Sequence, residues 1–492
     1  ATPALTDPTD QVLCTGSTTS AVSLVATPSA TTSFAWTNSR TSIGLAASGT
    51  GNIAAFTATN YTNAPVTATV VVTPTNTESA GGTTVACVGP TQSFTYTVNP
   101  IPTVNTVADQ NVCAGTAVTL PFSGFVAGTV FEWTNSNTAI GLAASGTGNL
   151  SYTATNTTSS PITATIIVTP KYTNAGVTCT GNPISFTITV NPTPTVAAVT
   201  NQVLCNGAAT TAVAFTGATT GTVYNWTNSN TSIGLAASGT GDIASFTAVN
   251  TGATAATATI TVTPTYTGAG FTCTGTATTF TITVNPTPSL TAVSNSIICN
   301  GSSNAITLTG PVTGSVYSWT KDNTAIGLAA SGTGNISFTA TNPGPDPITG
   351  TVSVTPSYTN GGTTCTGTPT TFTITVNPTS TVNPVSNQVV CNNASTSAIN
   401  FTGSATNTIY NWTNSNTTIG LAASGTGNIA SFTAINNTTT PVTSTITVTP
   451  TSGLQVCNLA DIPTNLQTGL VGYWPFCGNA NDASGNGNNG TN

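Results

Sequence analysis

Ile233-Gly-Leu-Ala-Ala-Ser-Gly-Thr-Gly-Asp-Ile243 decides how the chain is read, because it is written five times. The other copies begin at Ile43, Ile140, Ile326 and Ile419. Each follows a tryptophan element, at Trp36, Trp133, Trp226, Trp319 and Trp412. Successive tryptophans stand 97, 93, 93 and 93 residues apart. Such a period is too long for a solenoid turn and suits one complete small domain. The chain reads as a tandem array of one module.

Around the specimen stretch, Val213-Ala-Phe215, Val223-Tyr-Asn-Trp226 and Ser245-Phe-Thr-Ala-Val249 are short apolar runs bounded by turn formers, so they read as strands. Ala256 to Thr263 alternates strictly, with Ala256, Ala258, Ile260 and Val262 on one face and threonines on the other. Phe280-Thr-Ile282-Thr-Val284 repeats the pattern. Period-two alternation means strands with one buried and one wet face, and threonine suits the wet face. Pro264 is expected to end its strand by removing a donor, as are Pro74, Pro170, Pro356 and Pro450. No helical period occurs. The fold class is all-β, a rod-shaped tandem array of five β-sandwich modules.

Val-Asn-Pro marks the boundaries, at Val98-Asn-Pro100, Val190-Asn-Pro192, Val284-Asn-Pro286 and Val376-Asn-Pro378. The expected modules are 1–100, 101–192, 193–286, 287–378 and 379–463, the last with an atypical closing strand, before a tail at 464–492. Further prolines at Pro102, Pro194 and Pro288 predict short, stiff junctions. The five tryptophans are expected to pack on the intersheet core rather than form a ligand-stacking row.

Composition removes several functions. Only three residues are basic (Arg40, Lys171, Lys321) and ten are acidic, giving a net charge of -7 with no His and no Met. No basic stripe exists for a phosphate backbone, so nucleic acid is excluded as a partner. No apolar run approaches the ~18 residues of a membrane-spanning helix. Lacking an initiator Met and a signal-peptide pattern, the sequence reads as a processed or excised segment.

Ten of the eleven cysteines fall into two phased series. Cys14, Cys113, Cys205, Cys299 and Cys391 come early in the repeats, and Cys87, Cys179, Cys273, Cys365 and Cys457 come late. One of each per module predicts one disulfide within each module, in an oxidising, extracellular setting. Closing loops of 66 to 73 residues would contribute about 4 kcal/mol per module in the chain-entropy description. Zinc fails as a rival because no CxxC pair and no His completes a tetrahedral set.

The whole pattern, Val-Xaa-Cys-Xaa-Gly, Trp-Thr-Asn-Ser, Ile-Gly-Leu-Ala-Ala-Ser-Gly-Thr-Gly-Asn-Ile and Cys-Thr-Gly…Phe-Thr-Ile-Thr-Val-Asn-Pro, resembles PKD-like, immunoglobulin-like repeats over about residues 1–460. The resemblance is to repeats of very large secreted surface proteins of Bacteroidota-type bacteria, many exported by the type IX system. It implies a seven-stranded type of sandwich used as spacer, adhesin shaft or fibre, and no chemistry. After Cys457 the pattern breaks, and Gly469 to Thr491 is similar to the first strand and loop of concanavalin A-like, laminin-G-type domains. About 23 residues are too few to fold as such a domain. Leu470, Val471, Tyr473, Trp474 and Phe476 are a candidate strand to complete the fifth module's open edge, in its own chain ahead of a neighbour. Cys477 is the odd thiol, with a partner downstream or in another molecule.

Chemistry is hard to find. Ser-Gly-Thr-Gly-Asn lacks the Lys and the following helix of a phosphate loop and reads as a glycine turn. Without His the usual triads are excluded. The acids (Asp7, Asp10, Glu78, Asp109, Glu132, Asp242, Asp322, Asp346, Asp461, Asp482) occupy no position common to all repeats. They are too few at any junction for a calcium site. At Asp482 with Asn479, Asn481 and Asn486 a solvated turn is preferred over a weak calcium loop. No cofactor or metal is expected. The chain reads as a non-enzymatic extracellular structural protein, the shaft of a bacterial surface adhesin or a filament subunit. Its expected partners are copies of itself, given the near-absence of repelling charge, or surface glycans reached outside this segment. The alternative is a spacer for a carbohydrate-binding, laminin-G-like protein.

Overall fold

The computed structural model describes residues 1–452. Cys457, Cys477, the candidate strand Leu470 to Phe476 and the laminin-G-like tail lie outside the described residues, as does the atypical closing strand expected in the fifth module.

In the third module one sheet carries five strands across its width. They are an opening strand Gln202–Cys205, a closing strand Thr278–Asn285, a long strand Ala256–Gly268, a tryptophan strand Val223–Asn228 and a short strand Ser238–Thr240. A hairpin strand, Phe271–Thr274, folds back on the far end of the long strand. Opening and closing strands run parallel, and the other pairs are antiparallel. The first, second and fourth modules repeat this order. In the fifth, the tryptophan strand Thr408–Asn414 lies between Ser424–Thr426 and Ile446–Ser452. Alternation along the long strand works as the sequence implies: Ala258, Ile260 and Val262 are at most 1% exposed, and Ala256, Ala258 and Ile260 stand opposite Val284, Ile282 and Phe280 of the closing strand.

The second layer is thinner. Ala117–Leu120 pairs with Leu150–Thr153 in the second module, and Ser303–Ile306 with Ile336–Thr339 in the fourth. In the third module the strands expected at Val213–Phe215 and Ser245–Val249 are instead isolated bridges, Val213 to Ile243 and Ala209 to Thr247. Both facing segments are one residue longer than in the second module: Ala209 to Phe215 stands where that module has Ala117 to Phe122, and Ile243-Ala-Ser-Phe-Thr-Ala248 where it has Leu150-Ser-Tyr-Thr-Ala154. The ladder is interrupted there, and the Thr210 hydroxyl, not a backbone carbonyl, accepts from the Phe246 N–H at 3.0 Å. The first and fifth modules carry the same insertion and the same pattern of bridges.

The long strands also run through their prolines. Ala256–Gly268 contains Pro264, and its counterparts contain Pro74, Pro170 and Pro356; Pro450 lies inside Ile446–Ser452. A strand residue points its N–H and C=O to the same side. The Pro264 carbonyl accepts from Gly275 at 2.9 Å. Its missing N–H therefore falls where the partner changes from the hairpin strand to the closing strand, and no ladder bond is lost. Gly89, Gly181 and Gly367 donate to Pro74, Pro170 and Pro356 at the same distance, 2.9 Å.

The fivefold motif is built around each tryptophan, which is 7 to 8% exposed. Thr231–Ile233 forms a 3-10 turn capped by the Asn230 side chain, and Gly234 follows at φ 95°. Ile233 is fully buried, while Asn228 donates from Nδ2 to the Leu235 carbonyl at 3.0 Å and holds the loop closed. Gly239 then lies flat under the indole. A Cβ there would stand 2.3 Å from Trp226 Cζ2, so only glycine lets the ring seat. The stretch is a tryptophan socket.

Candidate functional site: the joints between modules

The parallel pairing of opening and closing strands sets Cys205 opposite Asn285, the Asn of Val-Asn-Pro, at the end where the chain leaves the module. The hairpin strand is at the other end: Cys273 faces Tyr266, ten residues along the long strand from Ala256, which faces Val284. At ~3.4 Å per residue the two cysteines of one module are therefore roughly 30 Å apart, far beyond the ~7 Å between Cα atoms that a cystine spans.

The cystines accordingly join neighbouring modules, which corrects the expected pairing within modules. Cys14 bonds Cys179, Cys113 bonds Cys273 and Cys205 bonds Cys365, with Cα separations of 5.6, 5.6 and 5.5 Å. Each links the exit end of one module to the entry hairpin of the next. The late cysteines Cys179, Cys273 and Cys365 are at most 3% exposed there. Cys87, Cys299 and Cys391 form no cystine among the described residues.

Around each cystine the same parts recur. At the first joint Asn174 donates from Nδ2 to Asn99 Oδ1 at 2.8 Å, and Asn99 donates back to the Asn174 carbonyl at 3.3 Å. Asn360 and Asn285 exchange the corresponding bonds at the third joint, at 2.9 and 3.1 Å. The second joint has Gly268 in place of the hairpin asparagine, which leaves Asn191 Oδ1 buried without a partner. Thr363 adds a bond from its hydroxyl to the Val203 carbonyl at 3.1 Å, onto the opening strand of the third module. The asparagine of Val-Asn-Pro, read in sequence as punctuation, is thus a buried fastener: Asn99, Asn191 and Asn285 have no exposed surface.

Each linker is fixed to its own module as well. The glycine of Cys-Thr-Gly lies directly on the carbonyl of the module's entry proline, Gly181 on Pro102, Gly275 on Pro194 and Gly367 on Pro288. A Cβ on these glycines would come within 1.8 to 1.9 Å of that oxygen. Between the fourth and fifth modules Thr406 donates from its N–H to the Pro345 carbonyl at 3.0 Å and from its hydroxyl to Asp346 Oδ1 at 2.5 Å.

Charge contributes little. Among the described residues the ion pairs are Lys171 with Glu132 at 2.5 Å and the N-terminal amine with Glu78 at 3.3 Å, each partly exposed. Asp109 accepts from the Thr187 N–H at 2.6 Å, which holds its carboxyl below the usual carboxylate range. Asp10, Asn201 and Asn295 make the same contact to Thr95, Thr281 and Thr373 in the other modules. Among the described residues no three metal-ligating side chains come together, and no helix is long and apolar enough to cross a membrane.

The family model of the PKD-like domain matches residues 110–194 and 296–380, which cover most of the second and fourth modules and the start of the linker after each. No curated protein matches the chain. Among solved structures the chain is similar to Sidekick-1 immunoglobulin domains 1-5, at 14% identity over 91% of this chain and 97% of that one, with a TM-score of 0.25. The insect immune protein hemolin matches at 13% identity over 77% and 100%, with a TM-score of 0.23. Drosophila N-cadherin EC1-4 matches at 10% over 75% and 99%, with a TM-score of 0.25. These likenesses concern the fold of strings of β-sandwiches and carry nothing about the arrangement of the modules.

Proposed function

We propose that this chain, a tandem array of PKD-like modules of immunoglobulin-like fold, serves as the non-enzymatic shaft of a secreted or surface-anchored bacterial adhesin or filament. The observation that supports this most is the joint: a cystine and a proline seated on glycine recur at three successive boundaries, and a buried asparagine bond recurs at each. Modules meant to move freely would be joined by a mobile, polar linker with few contacts across it. The cystines favour an oxidising compartment, and export by a type IX route is part of the proposal. Self-association through sparsely charged flanks is the expected mode of assembly.

Electron microscopy of the native protein, with and without reductant, tests the reading. Straight rods that bend at regular intervals after reduction support a shaft; chains already bent at every boundary when oxidised overturn it. The resemblance of Gly469 to Thr491 to a laminin-G-type start favours a second reading, a spacer that presents a carbohydrate-binding head. Binding of the full chain on a glycan array would favour that reading.

A further inference from the structure

The three cystines interlace. The loop closed by Cys14 and Cys179 overlaps that closed by Cys113 and Cys273, which overlaps that closed by Cys205 and Cys365. The covalent route along the molecule therefore differs from the backbone. From Cys14 it crosses to Cys179, follows the backbone to Cys205 and crosses to Cys365. Everything else between Cys14 and Cys365 hangs as a side loop.

We infer that the stretch from Cys14 to Cys365 is a tension-bearing tie whose length is capped by cystines and does not depend on its sandwiches staying folded. This rests on the shaft reading and adds a mechanical function to it. The tie from Cys179 to Cys205 is about 26 residues, so it cannot exceed about 90 Å however hard it is pulled. It consists of the hairpin exit, the closing strand Ile184–Asn191 of the second module, a proline-containing linker and the opening strand Gln202–Cys205 of the third. Two of its four parts are already extended strand, and the tie spans two modules of roughly 30 to 40 Å each. Little slack remains. The Cys113–Cys273 cystine lies off this route, and its part is to hold the second joint closed.

Single-molecule stretching of the full chain from its two ends reads this directly. About 350 residues separate Cys14 from Cys365 along the backbone, or about 1,200 Å when extended. The oxidised chain is expected to release at least about 1,100 Å less than the reduced chain. Cys113→Ala with Cys273→Ala is expected to add no length. Cys14→Ala with Cys179→Ala reroutes the tension from Cys14 to Cys113, across to Cys273 and back to Cys205, about 170 residues, and is expected to add about 480 Å. Peptide mapping of each oxidised variant checks that its remaining cystines are the native ones, so mispairing is told apart from either result.

An oxidised chain as extensible as the reduced one overturns the inference. So does a gain of hundreds of ångströms from the Cys113/Cys273 pair, the result that pairing within modules would produce. Straight rods that lengthen fully when oxidised would refute the tie and leave the shaft. Bent chains with capped length would do the reverse.

Discussion

At the scale of single residues, the tryptophan socket and the joints carry sharp consequences. Gly239→Ala forces a methyl group against Trp226 and is expected to cost about 3 kcal/mol, read as a shift in the urea midpoint followed by indole fluorescence. Tyr96 is fully buried, and its hydroxyl has no partner where the other modules carry Ile188, Ile282 and Ile374. Burial pushes its pKa up to about 12. Stability is then fully present below the ordinary tyrosine value near 10 and falls as pH rises toward about 12, because only the unfolded chain ionises freely. Tyr96→Phe is expected to gain about 1 kcal/mol at neutral pH and to lose this residue's share of the alkaline decline, checked by denaturation at two pH values. At the second joint, Gly268→Asn supplies the amide that the first and third joints already have. With Asn191 shifting aside for the new side chain, the gain is about 1 kcal/mol, measurable as a higher melting temperature.

At the scale of elements, alternation made the long and closing strands readable, because one face is threonine and the other aliphatic. The second layer was less legible. One extra residue on each of two facing segments, 209–215 and 243–248, accompanies the change from a ladder to bridges, and composition does not announce it. Pro264 misled for a similar reason: whether a missing N–H matters depends on which side the neighbour lies, and that is not local information. The clamp on the closing strands gives a pH test. Asp109 is held below the usual carboxylate range by the Thr187 N–H, so its contribution is present above the ordinary carboxylate pKa and is lost as pH falls through the depressed one. The protection factor of the Thr187 amide is expected to fall in acid, whereas Thr281, clamped by neutral Asn201, keeps its protection through the same range.

For the whole molecule, the period alone announced the array of modules, and the cysteine phase announced cystines, but not which ones. Pairing within a module and pairing with the next differ by one repeat, and a repeating sequence looks the same after that shift. Only the sheet order decides, by putting the opening cysteine at the exit and the hairpin cysteine at the entry of each module. The fastening role of Asn99, Asn191 and Asn285 was hidden likewise, since Val-Asn-Pro is equally good punctuation. Peptide mapping of the oxidised protein without reduction is expected to recover the fragments around Cys14 and Cys179 joined, and none joining Cys113 to Cys179.

Linking each exit to the following entry also imposes a timetable. Cys14 meets its partner only once the second module has formed its hairpin, and Cys113 must wait for the third. A chain threaded through an exporter from its N-terminus would therefore seal itself one module behind the emerging end, like a zip whose slider trails the cloth. A molecule halted after its second module would leave the Cys113 thiol open, which the complete chain seals with Cys273, so arrest there is chemically distinguishable from completion.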